Sequence, residues 1–275
     1  MRGRRVAVIG LGLMGGSLAR DLAAAGATVL GGDAQQERAE RALADGVITA
    51  VLDDSLSGVR DVDIVVIATP VDATLAILDR LAPVLGERTV VTDVGSTKST
   101  VIAHAVRAGL GRRFVGSHPM AGSHRSGWDA SQTGLYGGAR VLLCPTPETA
   151  PEVVALVASL WTQVGARHEL LDAAEHDARL AWSSHLPQVA SSAVAAALAD
   201  AGARPEQMGP GGRDVTRLAA SSPAIWVAIC LANEADMLRA VRALRGQLGV
   251  FETALAAKDT EALRRFFEAG REWLK

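Results

Sequence analysis

The segment Arg5-Val-Ala-Val-Ile9, followed at once by Gly10-Leu-Gly-Leu-Met-Gly15, constrains this chain more than any other. Val6, Val8 and Ile9 are β-branched and Ala7 is small, which reads as a short strand buried on both faces. A glycine at the first position permits a tight turn. The second lets backbone approach a bound group, and the third lets the next helix pack on the strand. That helix is predicted over Leu13–Ala25, ending at Gly26. Its amino end would present N–H groups and a positive dipole to an anion such as a pyrophosphate. Thr28-Val-Leu-Gly-Gly-Asp33 reads as a second strand closing on a carboxylate, about 20 residues past the turn, where an acid accepts hydrogen bonds from a ribose diol. Dinucleotide binding is therefore expected, with Gly10, Leu11, Gly12, Leu13, Met14, Gly15 and Asp33 as contacts. A 2′-phosphate would face the charge of Asp33, and Ala34-Gln35-Gln36 bring no cation to it, so NAD is expected over NADP. Arg38 and Arg41 are the residues through which that preference could reverse.

Short apolar strands and helical spacings go on alternating. Asp63–Ala68, Thr89–Asp93, Arg140–Cys144 and Ala166–Leu170 read as strands, with helices over Gln36–Asp45, Asp72–Leu81, Ser99–Arg107 and Glu148–Gln163. Near Leu171-Asp172 the texture changes and strand signals stop. Ala174–Ala201 reads as one long helix with Pro187 as a kink site, Arg204–Gly212 as a Gly/Pro loop, and Asp214–Ala220 as a short helix. Pro223 opens a helix running to about Leu248, with Trp226, Ile229, Met237, Val241, Leu244 and Leu248 on one stripe. The expected fold is α/β: a Rossmann-type, mainly parallel sheet over 1–171, followed by an all-α domain over 172–275. The apolar stripes of the second part suit either an intramolecular core or a homodimer interface.

With 275 residues and 49% hydrophobic content the chain can fill two modest cores. A net charge of −2 gives no general attraction to nucleic acid or anionic membrane. The start, Met1-Arg-Gly-Arg-Arg5 before an apolar run, imitates a signal peptide, but the glycines argue for a phosphate turn instead. No apolar stretch reaches the ~18 residues of a membrane span. Cys144 and Cys230 sit in apolar runs without metal-like spacing and read as buried thiols in a reducing, cytoplasmic compartment. No H-x-x-x-H or C-x-x-C spacing occurs, so no metal site is expected.

The chemistry concentrates in Gly116-Ser-His-Pro-Met-Ala-Gly-Ser-His-Arg-Ser-Gly127. His118 follows the apolar run Phe114-Val115-Gly116, and Pro119 restrains the chain after it, so an imidazole stands at a strand end where open α/β sheets bind ligands. A nicotinamide site beside a fixed imidazole suggests a dehydrogenase with His118 as proton acceptor. Thr69-Pro70 and Asp93-Val-Gly-Ser-Thr-Lys98 end two other strands. Thr69, Pro70 and Ser96 are expected to face the cofactor, and the Ser96 hydroxyl could also orient a substrate hydroxyl. Ser96 or Thr97 could equally serve as a plain helix cap. His176 reads as a helix-start residue and His185 as a packed one.

Taken together, Gly10–Ser17, Asp93–Lys98, Gly116–Ser123, His176-Asp177 with Ser184-His-Leu-Pro187, and Arg213-Asp-Val-Thr-Arg-Leu-Ala219 with Pro223 and Trp226 resemble the prephenate (or arogenate) dehydrogenases of tyrosine biosynthesis, over essentially the whole chain. The resemblance implies that His118 takes the proton of the substrate's ring hydroxyl, that Ser96 hydrogen-bonds the same hydroxyl and that Arg217 binds the side-chain carboxylate. Trp226 would close the pocket, supported by Arg213 and Asp214, with Ser123, His124 and Gln188 as further substrate contacts. An arginine fork suits a carboxylate-rich substrate. Two positions depart from the family pattern. Gln188 stands where many relatives have histidine, and His124 where they have an acid or amide, and both departures bear on substrate preference and pH response.

These readings point to NAD-dependent oxidative decarboxylation of prephenate to 4-hydroxyphenylpyruvate, with arogenate giving tyrosine as the near alternative. A 3-hydroxyacid dehydrogenase would carry a catalytic lysine on its interdomain helix, and Ala174–Ala201 contains none. A non-catalytic NAD-sensing module would have no use for His118, Ser96 and Arg217 together.

Overall fold

β1 (Arg5–Ile9) and β4 (Ile64–Ile67) lie side by side in parallel, and from Val6 onward each is buried on both faces. They form the centre of a sheet in a computed structural model that describes residues 1–122 and 125–275. Ser123 and His124, both expected at the substrate site, fall outside the described residues. The other strands are β2 (Thr28–Gly32), β3 (Ala50–Val51), β5 (Val90–Asp93), β6 (Phe114–Pro119), β7 (Arg140–Pro145) and β8 (Arg167–Leu170), in the order β3-β2-β1-β4-β5-β6-β7-β8. β1 to β6 are parallel; β7 pairs antiparallel with β6, and β8 runs parallel to β7. The first six strands follow the 3-2-1-4-5-6 order of doubly wound dinucleotide folds. The order in which successive strands are added reverses between β1 and β4, which opens a crevice outside their carboxyl ends.

Alternate residues of each strand serve opposite layers, as a period of two requires. Val6, Val8, Ile64 and Val66 pack with Leu18 and Leu22 of α1 (Leu13–Ala24), Ala39 and Ala42 of α2 (Gln36–Ala44), and Leu160 and Trp161 of α5 (Pro151–Gln163). On the other face Ala7, Ile9, Val65 and Ile67 pack with Leu78 and Leu81 of α3 (Val71–Leu81) and Val101 and Ile102 of α4 (Ser99–Arg107). Continuous burial of this kind explains why these strands read as unbroken apolar runs.

The chain divides into two compact units, residues 1–179 with 220–233 and residues 180–219 with 234–275. The first also holds α6 (Ala173–Leu180) up to Arg179, and α9 (Pro223–Ala232), which packs on α3. Within the second, a wide π-type turn over 181–185 leads into α7 (Leu186–Asp200), with α8 (Pro210–Thr216), α10 (Glu234–Ala256) and α11 (Thr260–Trp273) following. Phe251 of α10 packs tilted against Phe266 and edge-on against Phe267 of α11, with ring centroids 5.2 and 6.1 Å away. Asp259 caps α11 through its carboxylate.

One helix reading is corrected and one is refined. The stretch from Pro223 to Leu248 is not one helix. It breaks at Asn233 (φ −123°, ψ 36°), whose side-chain amide donates to the Asp177 carbonyl at 2.9 Å, so the Trp226–Leu248 stripe divides between α9 and α10. The stretch 174–201 is helical throughout, as read, and its irregularity is the π-helical segment over 181–185, which ends two residues before Pro187 and widens the helix just where the proline removes an N–H. Among the described residues no single helix is long and apolar enough to cross a membrane.

Candidate active site

At the end of β1, Gly10 has φ +97°, and a Cβ there would stand 2.5 Å from the Ala68 carbonyl oxygen. A Cβ on Gly15 would collide with the Gly10 carbonyl. Around the corresponding position on Gly12 no described atom lies within 4 Å, so the backbone presents an open face there. Leu11 and Leu13 bury their side chains in the first unit, which leaves their backbone to line the turn. Asp33 is held against the same turn: Oδ2 accepts the Leu11 N–H at 2.7 Å and Oδ1 the Gln35 N–H at 2.9 Å. An open glycine turn at a helix amino end, with a carboxylate at the next strand end, is a donor and acceptor set that fits a dinucleotide. Of the two arginines through which the cofactor preference could reverse, one reaches this carboxylate. Arg38, on the first turns of α2, reaches Asp33 Oδ1 at 3.5 Å, whereas Arg41 pairs with Asp129. Thr69 and Pro70 lead into α3, where the Thr74 hydroxyl bonds the carbonyls of both.

β6 carries His118 to the same end of the sheet, and the residue is buried. Its neighbourhood is unusually polar for a core. Lys98 is wholly buried and pairs with Asp93, which is buried as well. A Cβ on Gly116 would come within 2.9 Å of the Lys98 Cδ, so this glycine makes room for the lysine stem. Asp93 also accepts the N–H of Gly95 at 2.9 Å and of Ser117 at 3.1 Å, and the Ser117 hydroxyl bonds Thr92 and accepts from Trp161. The residue preceding His118 is thus fixed from three sides.

His118 Nδ1 lies 2.9 Å from His176 Nε2, and His176 Nδ1 lies 2.8 Å from Asp177 Oδ1. The two rings are tilted by 58°. Asp177 also accepts the backbone N–H of Lys98 on Oδ1 and of Ser99 on Oδ2, both at 2.8 Å. The start of α4 is therefore capped by a carboxylate from α6, and not by Ser96 or Thr97. Ser96 is half-buried in the loop between β5 and α4. Burial lowers the pKa of His176; the bond to Asp177 works against this and the Lys98 charge works with it. For Asp177 burial acts to raise the pKa, but hydrogen bonds from His176, Ser99 and Lys98 outweigh it and hold the carboxyl below its usual range. Sequence reasoning missed this line. It treated His176 as a helix-start residue, although an adjacent His-Asp pair at a helix start was a visible signal.

The second unit gathers the other candidates. Arg213 and Asp214 on α8 and Arg217 just after it are exposed. Gln188, buried on α7, donates to the Leu218 carbonyl at 2.8 Å, which engages its amide nitrogen next to Arg217. Trp226, half-buried on α9, belongs to the first unit.

A family model described as the nucleotide-binding domain of prephenate dehydrogenase matches residues 18–170, and one described as the prephenate dehydrogenase dimerization domain matches residues 172–269. Prephenate dehydrogenase of Bacillus subtilis is 35% identical over 98% of this chain and 74% of its own length. The structure of A. aeolicus prephenate dehydrogenase in complex with hydroxyphenyl propionate and NAD+ superposes with a TM-score of 0.89 at 31% identity, covering 98% of this chain and 97% of that one. Synechocystis arogenate dehydrogenase superposes with a TM-score of 0.83 at 29% identity, covering 98% of each. The chain belongs to the prephenate dehydrogenase family, as its motifs indicated. Within that family the prephenate and arogenate activities both occur among its relatives.

Proposed function

We propose that this family member is a cytoplasmic, homodimeric, NAD-dependent prephenate dehydrogenase, with residues 1–171 serving the dinucleotide and 172–275 serving substrate and dimer. The observation that carries the reading is a buried imidazole, His118, held by hydrogen bonding at the sheet end that also bears the open glycine turn. NAD bound along Gly10–Gly15 and Asp33, with Thr69, Pro70 and Ser96 nearby, supplies the hydride acceptor. His118 takes the proton of the ring hydroxyl while Ser96 orients that oxygen. The C–H electrons of the same carbon depart as hydride. Loss of the ring carboxylate as carbon dioxide then makes the ring aromatic and sends its electron pair to the ring oxygen, which takes a proton back from His118, and aromatisation drives the reaction to 4-hydroxyphenylpyruvate. Arg217 is the anchor for the side-chain carboxylate, with Arg213, Gln188 and Trp226 as its supports.

Exposed cations at Arg213 and Arg217 favour the keto acid of prephenate over the ammonium of arogenate. Arogenate is the second reading, favoured by the likeness to the Synechocystis arogenate dehydrogenase and by Asp214, which could pair with that ammonium. Absorbance of reduced nicotinamide, followed with each substrate and with NAD or NADP, tests both. Prephenate with NAD should give the highest kcat/KM; a higher value for arogenate would reverse the choice. In His118→Ala turnover should fall by about 100-fold or more with NAD binding retained, and near-normal turnover would remove the assignment of the base.

A further inference from the structure

We propose that His176 and Asp177 are positioning residues that dictate which nitrogen of His118 carries the proton, and that the same Asp177 carboxylate anchors the loop bearing Ser96. The inference rests on the reading of His118 as the base, and it concerns how that base is made ready.

The hydrogen bonds that link His118, His176 and Asp177 allow one consistent assignment. An ionised carboxylate only accepts, and Asp177 already accepts the N–H groups of Lys98 and Ser99 at the amino end of α4, where the helix dipole also favours negative charge. The 2.8 Å contact with His176 Nδ1 therefore places a hydrogen on that nitrogen. His176 is wholly buried, so it stays neutral and its Nε2 holds a lone pair. That lone pair faces His118 Nδ1 at 2.9 Å. His118 must then donate from Nδ1, which puts its own lone pair on Nε2. The reverse tautomer, which a free histidine side chain favours in water, would set two lone pairs against each other in the core. The line thus selects the less common tautomer and makes Nε2 the basic nitrogen.

The arrangement also prepares the protonated state. When Nε2 takes a proton, the Nδ1–H of the imidazolium still has an acceptor, and that acceptor is polarised by a carboxylate behind it. Hydrogen-bonded carboxylates stabilise a catalytic imidazolium by this means without taking the proton themselves; here a second imidazole extends the reach. The charges acting on His176 are those of Asp177, Lys98 and Asp93. Asp93 and Lys98, on the β5–α4 connection, neutralise each other, and burial keeps the Cys144 thiol of β7 protonated. From beyond α9, Asn233 contributes a neutral amide to the Asp177 carbonyl. Of the carboxylates that act on His176, Asp93 is paired with Lys98 and Asp177 is not paired with a cation. Because it also ties down Lys98 and Ser99, it sets the position of the loop in which Ser96 lies. Base and hydroxyl are held by one carboxylate.

The test uses the full chain labelled with ¹⁵N-histidine. In the wild type, above neutral pH, the His118 ring nitrogens should read as a protonated Nδ1 and a lone-pair Nε2; a protonated Nε2 would overturn the proposal without any variant. In His176→Ala the His118 signals should move toward the Nε2–H tautomer. Its kcat should fall about 100-fold with the KM for NAD unchanged, and the acid limb of kcat/KM should shift to lower pH, because the imidazolium has lost its acceptor. His176→Gln, whose carbonyl can reach the former Nε2 position, should restore part of the rate. A role in packing alone would lower thermal stability and leave the tautomer and the acid limb where they were, and that result refutes the proposal. An active His118→Ala would instead refute the reading of the base, so the two failures are told apart.

Discussion

Lys98→Met isolates the buried ion pair beneath His118. The Lys98 and Asp93 side chains are 0% and 1% exposed, so their charges have only each other and nearby amides for solvation. Methionine retains most of the lysine stem, and the space that Gly116 leaves for it stays filled, so packing changes little. What is lost is the counter-charge. Removing one member of a buried pair costs about 3–5 kcal/mol. The amides of Gly95 and Ser117 still solvate Asp93 and hold the loss near the lower end, about 3 kcal/mol. For a protein of this size that corresponds to a melting shift of roughly 6–12 °C. Calorimetry of wild type and variant reads it directly, and urea unfolding gives the free energy. Adding Asp93→Asn removes the stranded charge, so the double variant should recover at least about 1 kcal/mol relative to Lys98→Met alone. Turnover should also fall in the single variant, because Asp93 positions Ser117 next to His118. A loss below about 1 kcal/mol for Lys98→Met would refute the premise that Asp93 depends on a buried counter-charge.

Asp33→Asn should release Arg38 from its ion pair and remove repulsion of a 2′-phosphate, lowering the kcat/KM preference for NAD over NADP by about 10-fold or more; steady-state kinetics with both cofactors checks it. Acid should weaken the fold in two stages. His176 has a lowered folded pKa, so below the free-histidine value of about 6.5 the unfolded chain binds a proton that the folded chain refuses, and stability falls as pH drops. The contribution of Asp177 is full above about pH 3.9 and disappears as pH falls through its depressed folded value. Urea midpoints across this range measure both stages, and His176→Gln should flatten the first. Burial pushes the Cys144 thiol up to about 12, so it should resist thiol reagents in the folded enzyme at about pH 8 and react once the chain is unfolded; mass spectrometry of the modified peptides reports it.

What could be read in advance was local. The glycine turn at 10–15, the strands around it and the change near Leu171 follow from side-chain period and backbone freedom within a few residues. The two-residue β3 carries no alternation and is exposed, so nothing marked it. The break at Asn233 was hidden because apolar spacing continues through it; only the distant Asp177 carbonyl explains why the helix stops there. The pairing of His118 with His176 spans 58 residues, and locally only the adjacent His176-Asp177 pair hinted at it. Arg38 was weighed only as an alternative, because its approach to Asp33 depends on how α2 turns back over β2.

The first unit is assembled from two separated stretches of chain, 1–179 and 220–233. Its last helix, α9, packs on α3, Thr100 reaches the Ala232 carbonyl, and Asn233 reaches the Asp177 carbonyl. During synthesis, the sheet with its glycine turn can emerge complete while the segment carrying His176 and Asp177 still lacks the partner that steadies it. Some forty further residues, all belonging to the other unit, must leave the ribosome first. A nucleotide-binding fragment cut after Arg179 would stop one helix short of its own unit, whereas an internal deletion of the intervening stretch that keeps 220–233 would not. The first unit therefore closes only after 180–219 have been made, yet before 234–275 of the other unit.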